Sequence, residues 1–285
     1  MRDPEHATDE ASGETVELAQ SDIRSVLSER DADVRDHLPG IEPERQLTDW
    51  GRSERVEGVV DRTIYEFLYR YWFRVEVEGI DNIPAEGPAL LVANHSGALP
   101  SDGVMIAKAV REEHRRPRPV HLVTEQRLGR IPGIGMLFTK LGAVAAHPAN
   151  VHRLLFDEQQ LVLEFPEGPD GALKPLKERY RLRTFDRAPF VSSAARADSP
   201  IVPIAVLGAE EALPRLAGLG TLRRLMRLPL APTVPLPAKF KIRFLEPVDT
   251  TARRADADGL AEDIRALIQE NLFEMVTERR SVWLG

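Results

Sequence analysis

The chain has 285 residues, 42% hydrophobic and 29% charged, with a formal net charge of −7 and no cysteine. That length suits one sizeable domain or two small ones. Without thiols, disulfides, thiolate metal sites and a cysteine nucleophile are excluded, and the composition suits the cytoplasm. The charge is uneven: residues 1–46 hold 13 Asp/Glu and 5 Arg, a balance of −8, which leaves +1 for residues 47–285. No basic domain or interleaved stacking aromatics mark a nucleic-acid partner.

Residues 1–45 read as an acidic, flexible N-terminal extension with weak helical periodicity, and 46–285 as the main domain. The opening MRDPEHATDE is too acidic for a secretory signal, and no apolar run approaches a membrane span. Residues 54–72 form an amphipathic helix in which Val56, Val60, Ile64, Phe67, Leu68 and Tyr71 share one face. That face packs on the core, or, given Tyr65, Tyr69, Trp72 and Phe73 around it, lies at a membrane interface.

Strands and helices then alternate. Strands are expected over 74–80, 87–94, 120–125, 161–168, 200–208 and 239–248. Helices are expected over 102–114 (capped by Asp102) and 256–280, and residues 132–144 form a short helix entering a strand. The last helix carries Leu260, Ile264, Leu267, Ile268 and Val276 on one face. Such alternation implies a layered α/β domain.

Two stretches carry chemistry at strand tips. In ANHSGALPSDG (93–103) the apolar run ALLVA ends on Asn94 and His95, and Asp102 returns within one loop. A satisfied histidine at a strand end and a His–Asp dyad both fit this stretch alone; in the second, the carboxylate orients the imidazole as a general base. In EFPEGPDG (164–171) another buried strand ends in a Pro/Gly turn with Glu167 at its tip, where open α/β folds place ligands. Lys174, Lys177, Arg179, Arg181 and Arg183 follow, opposed by Glu178; they form a phosphate-binding cluster or a solvated basic face. Between Ala212 and Leu245 lie seven Lys/Arg and no acid. Within it PRLAGLGTLRRLMRLPL suits either an anionic membrane surface or a packed helix. His95, His114, His121, His147 and His152 show no metal-ligand spacing beyond His147 and His152, five apart.

Taken in order, NHSGALPSDG, FPEGPDG and PIVPIAV resemble the glycerolipid acyltransferases, the lysophospholipid or 1-acylglycerol-3-phosphate acyltransferases, over roughly residues 60–250. The nearest likeness is to a bacterial branch with NHSGxLPxDG. The resemblance implies a mixed central sheet flanked by helices, glycerol-3-phosphate acyltransferase-like, with an N-terminal helical element. It implies that His95 takes the proton from an acceptor hydroxyl and that Asp102 orients it. Asn94, Ser96 and Gly97 belong to the same loop, where backbone N–H groups around Ser96 and Gly97 are candidate oxyanion donors. Glu167 and Gly168 are implied to bind the acceptor, Phe165 and Pro166 to shape the turn, and Pro203 to shape the site or bind the acyl donor.

The implied donor is acyl-CoA or acyl-carrier protein, the acceptor a lysophospholipid or glycerolipid, and the place the inner face of the cell membrane, with peripheral contact. No cofactor or metal is implied. Two departures stand out. Six residues separate His95 from Asp102 where the family's commoner motif has four. The family's phosphate-binding Arg has no counterpart in LGAVAAHPAN, which holds His147 and Asn150, so either Lys174, Lys177 or Arg179 takes its place or the acceptor carries no phosphomonoester. Alternatives on the same fold are a lipid-binding protein without catalysis, or a lipid or thioester hydrolase using the same dyad. No Gly-x-Ser-x-Gly elbow supports a serine mechanism.

Overall fold

The computed structural model describes residues 47–95, 101–124, 133–168, 171, 174–185, 189–212 and 235–283. The N-terminal extension, Ser96, Gly97 and the arginine-rich stretch 213–234 lie outside the described residues.

Seven strands form one sheet: β1 (Glu76–Glu78), β2 (Ala89–Ala93), β3 (Val120–Thr124), β4 (Ala143–Ala145), β5 (Leu161–Glu164), β6 (Ile201–Leu207) and β7 (Lys241–Phe244). Their spatial order is β1-β7-β6-β2-β5-β3-β4. All pairs are parallel except β6 with β7, so the sheet is mixed, as expected. The central strands are apolar throughout because both faces are covered. Leu90, Val92, Val162, Ile201 and Ala205 enter one core. Ala89, Leu91, Leu161, Leu163, Val202 and Ile204 enter the other.

Seven α-helices are described: α1 (Glu54–Val60), α2 (Ser101–Glu113), α3 (Ile134–Lys140), α4 (Pro148–His152), α5 (Pro189–Arg196), α6 (Ala209–Ala212) and α7 (Ala257–Glu278). Helix α7 buries Leu260, Ile264, Ile268, Leu272 and Met275 on the first core, close to the expected face. Helices α4 and α5 were not anticipated. Their short apolar runs lack a full amphipathic period.

The helix over 54–72 forms, but its expected face turns inward only in part, with Leu68 packed on the second core. After α1 it continues as π-helical segments Asp61–Tyr65 and Leu68–Trp72. Ile64 is 57% exposed, Phe67 50% and Tyr71 69%, whereas Glu57 and Asp61 are 8%. The i→i+5 turns shift the phase, so the expected stripe splits: Leu68 keeps the core side while Ile64, Phe67 and Tyr71 face outward. Opposite lies α2, whose Lys108 is 3% exposed and meets Asp61 at 3.0 Å, Glu66 at 3.0 Å and Glu112 at 2.8 Å. A buried ammonium requires anionic partners, so the helix turns its acids inward. Arg52 grips Glu57 with two 2.6 Å bonds, and Arg111 reaches the same carboxylate.

Pro203 interrupts the middle of β6. Ile204 faces Phe244 while Ile201 faces Val248, so three steps on β6 match four on the returning chain, a bulge. A proline is tolerated there because its missing N–H falls at the break in the ladder. Its carbonyl still accepts from Leu245 at 2.9 Å.

Candidate active site

Strand register builds the site. β2 lies between β5 and β6, with Val92 opposite Glu164. The β2–β3 crossover carries α2 against one core, and the β5–β6 crossover carries α5 against the other. The carboxyl tips where such connections diverge form the ligand crevice of an open α/β sheet. Three residues beyond the Val92–Glu164 pair, His95 and Glu167 meet: the His95 backbone N–H donates to Glu167 Oε1 at 2.9 Å.

His95 Nδ1 lies 2.8 Å from Asp102 Oδ2, with side-chain exposures of 18% and 0%. An ionised carboxylate only accepts, so Nδ1 carries the proton and Nε2 keeps a lone pair. Asp102 sits inside the first turn of α2 rather than capping it, and Oδ1 accepts from its neighbour's N–H, Gly103, at 2.8 Å. The imidazole stacks on Phe165, centroids 4.4 Å apart. Burial opposes the charged imidazole, but the charge and hydrogen bond of Asp102, with Glu167 adding and Lys174 opposing, raise its pKa above the usual 6.5.

Gly103 is the last residue of the NHSGALPSDG stretch. A Cβ there would stand 2.9 Å from Leu122 and 3.4 Å from Phe165, so a side chain would push α2 away from the ring beneath His95. Gly103 and Leu122 also line a cleft bordered by Val104, Ala107, Phe138 and the Lys108–Asp61 seam.

Several of the expected site residues make contacts within the protein. Asn94 is fully buried and ties β2 to β6: Nδ2 donates to Val206 O at 2.9 Å and Oδ1 accepts from Val206 N–H at 2.7 Å. Its polar groups are satisfied, which leaves none for substrate. Gly168 (φ +56°) closes the turn over Pro166, donating to Phe165 O at 2.9 Å. Lys174 is 7% exposed, between Glu167 at 3.1 Å and Glu210 at 2.9 Å, so its ammonium is engaged by two carboxylates. Arg179 points its guanidinium over the Tyr180 ring, 5.2 Å from the centroid. Arg183 pairs with Glu178. Pro203 is a buried sheet residue. His147 caps α4, accepting from Ala149 N–H at 3.2 Å, and Asn150 donates to Ala145 O at 3.0 Å. No metal-binding group of three or more His, Asp or Glu occurs among the described residues.

Glu164 was passed over in the sequence. Alternation sends it to the sheet face opposite Phe165, and its side chain has no hydrogen-bond or ion-pair partner among the described residues. Burial pushes its carboxyl up from 4.5 to about 7. A raised acid stabilises the fold below pH 4.5 and loses that contribution as pH rises through 7. Glu164→Gln, neutral at every pH, is therefore expected to gain stability over wild type by up to about 3 kcal/mol at pH 8 and little at pH 4. Thermal melts at both pH values check this; an equal shift at both would refute it.

A mixed sheet thus carries a histidine–carboxylate pair and a second acidic loop at adjacent strand tips. A family model described as Acyltransferase matches residues 74–207, which spans both loops and β6. An uncharacterised protein of Mycobacterium tuberculosis is 35% identical over 96% of this chain and 81% of its own. A protein of Gallus gallus named DGAT1/2-independent enzyme synthesizing storage lipids is 30% identical over 75% of this chain and 62% of its own. The crystal structure of the 1-acyl-sn-glycerophosphate acyltransferase PlsC from Thermotoga maritima shares the fold, with TM-score 0.57, 17% identity and 90% coverage of each chain. The chain belongs to the acyltransferase family.

Proposed function

We propose that this protein is an O-acyltransferase that moves a fatty acyl group from an acyl thioester, acyl-CoA or acyl-carrier protein, to a hydroxyl of a lysophospholipid or glycerolipid. The observation that carries this is the 2.8 Å His95–Asp102 bond, with a fully buried carboxylate behind a partly open ring. His95 Nε2 takes the hydroxyl proton as the oxygen attacks the thioester carbonyl. When the tetrahedral intermediate collapses, the C–S bond breaks and the imidazolium returns the proton to the leaving thiolate. The Gallus gallus relative's name supports a lipid acceptor. Because Lys174 is engaged by two carboxylates, acceptors without a phosphomonoester belong beside lysophosphatidate in any test. Labelled acyl transfer from acyl-CoA and acyl-carrier protein to lysophosphatidate, other lysophospholipids and mono- and diacylglycerol tests the reading. Lipid product from wild type supports it. Released free fatty acid would favour a hydrolase, and bound lipid without turnover a lipid-binding protein.

The reaction is placed at the surface of the cell membrane. No helix among the described residues is long and apolar enough to cross a membrane. The outward side chains of helix 54–72 supply a docking face: Val59, Ile64, Phe67 and Tyr71 are each at least half exposed, and Phe67 packs against Tyr71 and Trp72. Interfacial helices bind by burying such side chains. The pair Phe67→Ser and Tyr71→Ser is expected to weaken co-sedimentation with phosphatidylglycerol vesicles at least about tenfold. Unchanged binding would remove this face from the proposal.

A further inference from the structure

We propose that Glu167, held by Lys174, is a positioning residue that anchors the peptide carrying His95, and that it does not hold the acceptor. This rests on the reading of His95 as the base.

The Glu167 side chain is 0% exposed, and its oxygens are engaged. Oε1 accepts the His95 backbone N–H at 2.9 Å and Oε2 the Arg183 backbone N–H at 2.6 Å. Lys174 Nζ donates to Oε2 at 3.1 Å and approaches Oε1 at 3.5 Å. The same ammonium reaches Glu210 Oε1 at 2.9 Å and Arg181 O at 3.3 Å, and Glu210 Oε2 accepts from Tyr180 N–H at 2.6 Å. Two carboxylates and one ammonium thus tie together the tips of β2 and β5, the segment 174–185 and the head of α6. An acceptor hydroxyl or phosphate would have to displace these bonds to reach Glu167.

The arrangement explains why a carboxylate is needed. Two backbone N–H groups arrive from opposite sides, and each requires its own acceptor oxygen. An amide offers one oxygen, and its NH₂ would face the other N–H. Losing the bond to His95 frees the peptide that carries the imidazole, so the ring leaves its line to Asp102. A displacement near 1 Å costs about 100-fold in rate.

The charged groups around His95 are Asp102 from α2, Glu167 from the β5 loop and Lys174 from the segment after it. Arg265 of α7 acts electrostatically with Glu167 and pairs with Glu262. Removing the Glu167 charge lowers the pH at which His95 protonates, so the acid limb of kcat/KM moves down in Glu167→Gln and stays in Glu167→Asp.

The experiment compares full-length wild type, Glu167→Gln and Glu167→Asp, using the donor–acceptor pair that wild type accepts. Both variants are expected to lose about 100-fold in kcat while acceptor KM stays within about threefold, with the limb shift in the glutamine variant alone. A rise in acceptor KM of about tenfold or more with kcat kept would overturn the proposal, placing Glu167 on the acceptor. Unchanged kcat with only a lower melting temperature would overturn it as well. If Glu167→Gln does not fold, the aspartate variant decides by the same kcat and KM criteria. If wild type transfers no acyl group, the base reading fails separately. The Nδ1 proton resonance of His95 then tests anchoring by itself: a shift in either variant supports it, and an unchanged resonance refutes it.

Discussion

Replacing His95 with glutamine is expected to lower kcat by about 100- to 10,000-fold, the usual contribution of a positioned base. Glutamine is the better probe than alanine. Asp102 is fully buried, and an alanine would leave its carboxylate without the 2.8 Å donor, a penalty on folding rather than on chemistry. A glutamine amide can still donate toward Asp102 but cannot take a proton. Asp102→Asn should lose activity on a similar scale for a different reason. Its NH₂ would oppose Nδ1–H, favouring the tautomer with the proton on Nε2 and removing the lone pair that faces the hydroxyl. Because the two act as one unit, the double variant should be no slower than His95→Gln alone. Steady-state rates for all three, with circular dichroism to show folding, make the test. Multiplicative losses, or a fully active Asp102→Asn, would break the dyad apart.

The largest stability effect is expected at Lys108. Its side chain is 1% exposed, in contact with Asp61, Glu66 and Glu112. Lys108→Met keeps the stem's packing but removes the buried cation they share, leaving Asp61 with Arg111 at 3.5 Å and Glu66 and Glu112 with the exposed Arg70. Removing one partner of a buried ionic cluster costs about 3–5 kcal/mol, a large part of a typical total of about 5–15 kcal/mol. Arg70 is the control: it contacts Glu66 and Glu112 from outside, and its side chain is 52% exposed. Arg70→Met should cost no more than about 1 kcal/mol. Urea unfolding of both variants measures the contrast. Equal losses, or none in Lys108→Met, would mean that the seam between helix 54–72 and α2 is not held by this ammonium. Since α2 also carries Asp102, a weakened seam is expected to loosen the dyad before the sheet unfolds.

The layered α/β class was legible in the sequence because its signals are local. Runs such as ALLVA and IVPIAVL are apolar at every position, which only two-sided burial explains. His95 and Glu167 were legible as residues ending such runs, and Asp102 as the carboxylate one loop away. Facing and charge pairing were decided elsewhere in the chain. The outward turn of Ile64, Phe67 and Tyr71 depends on π-helical phase and on Lys108, more than thirty residues further on. Asn94 became a latch because Val206 lies beside it across the sheet. Lys174 is legible as one cation of a cluster, but not that Glu210 of α6 engages it, and Glu167 as a strand-tip carboxylate, but not that its oxygens accept two backbone N–H groups. Periodicity and strand ends are properties of neighbours along the chain. Whether a polar atom is free for substrate depends on which distant groups the fold brings within about 3 Å of it, and only the tertiary structure decides that.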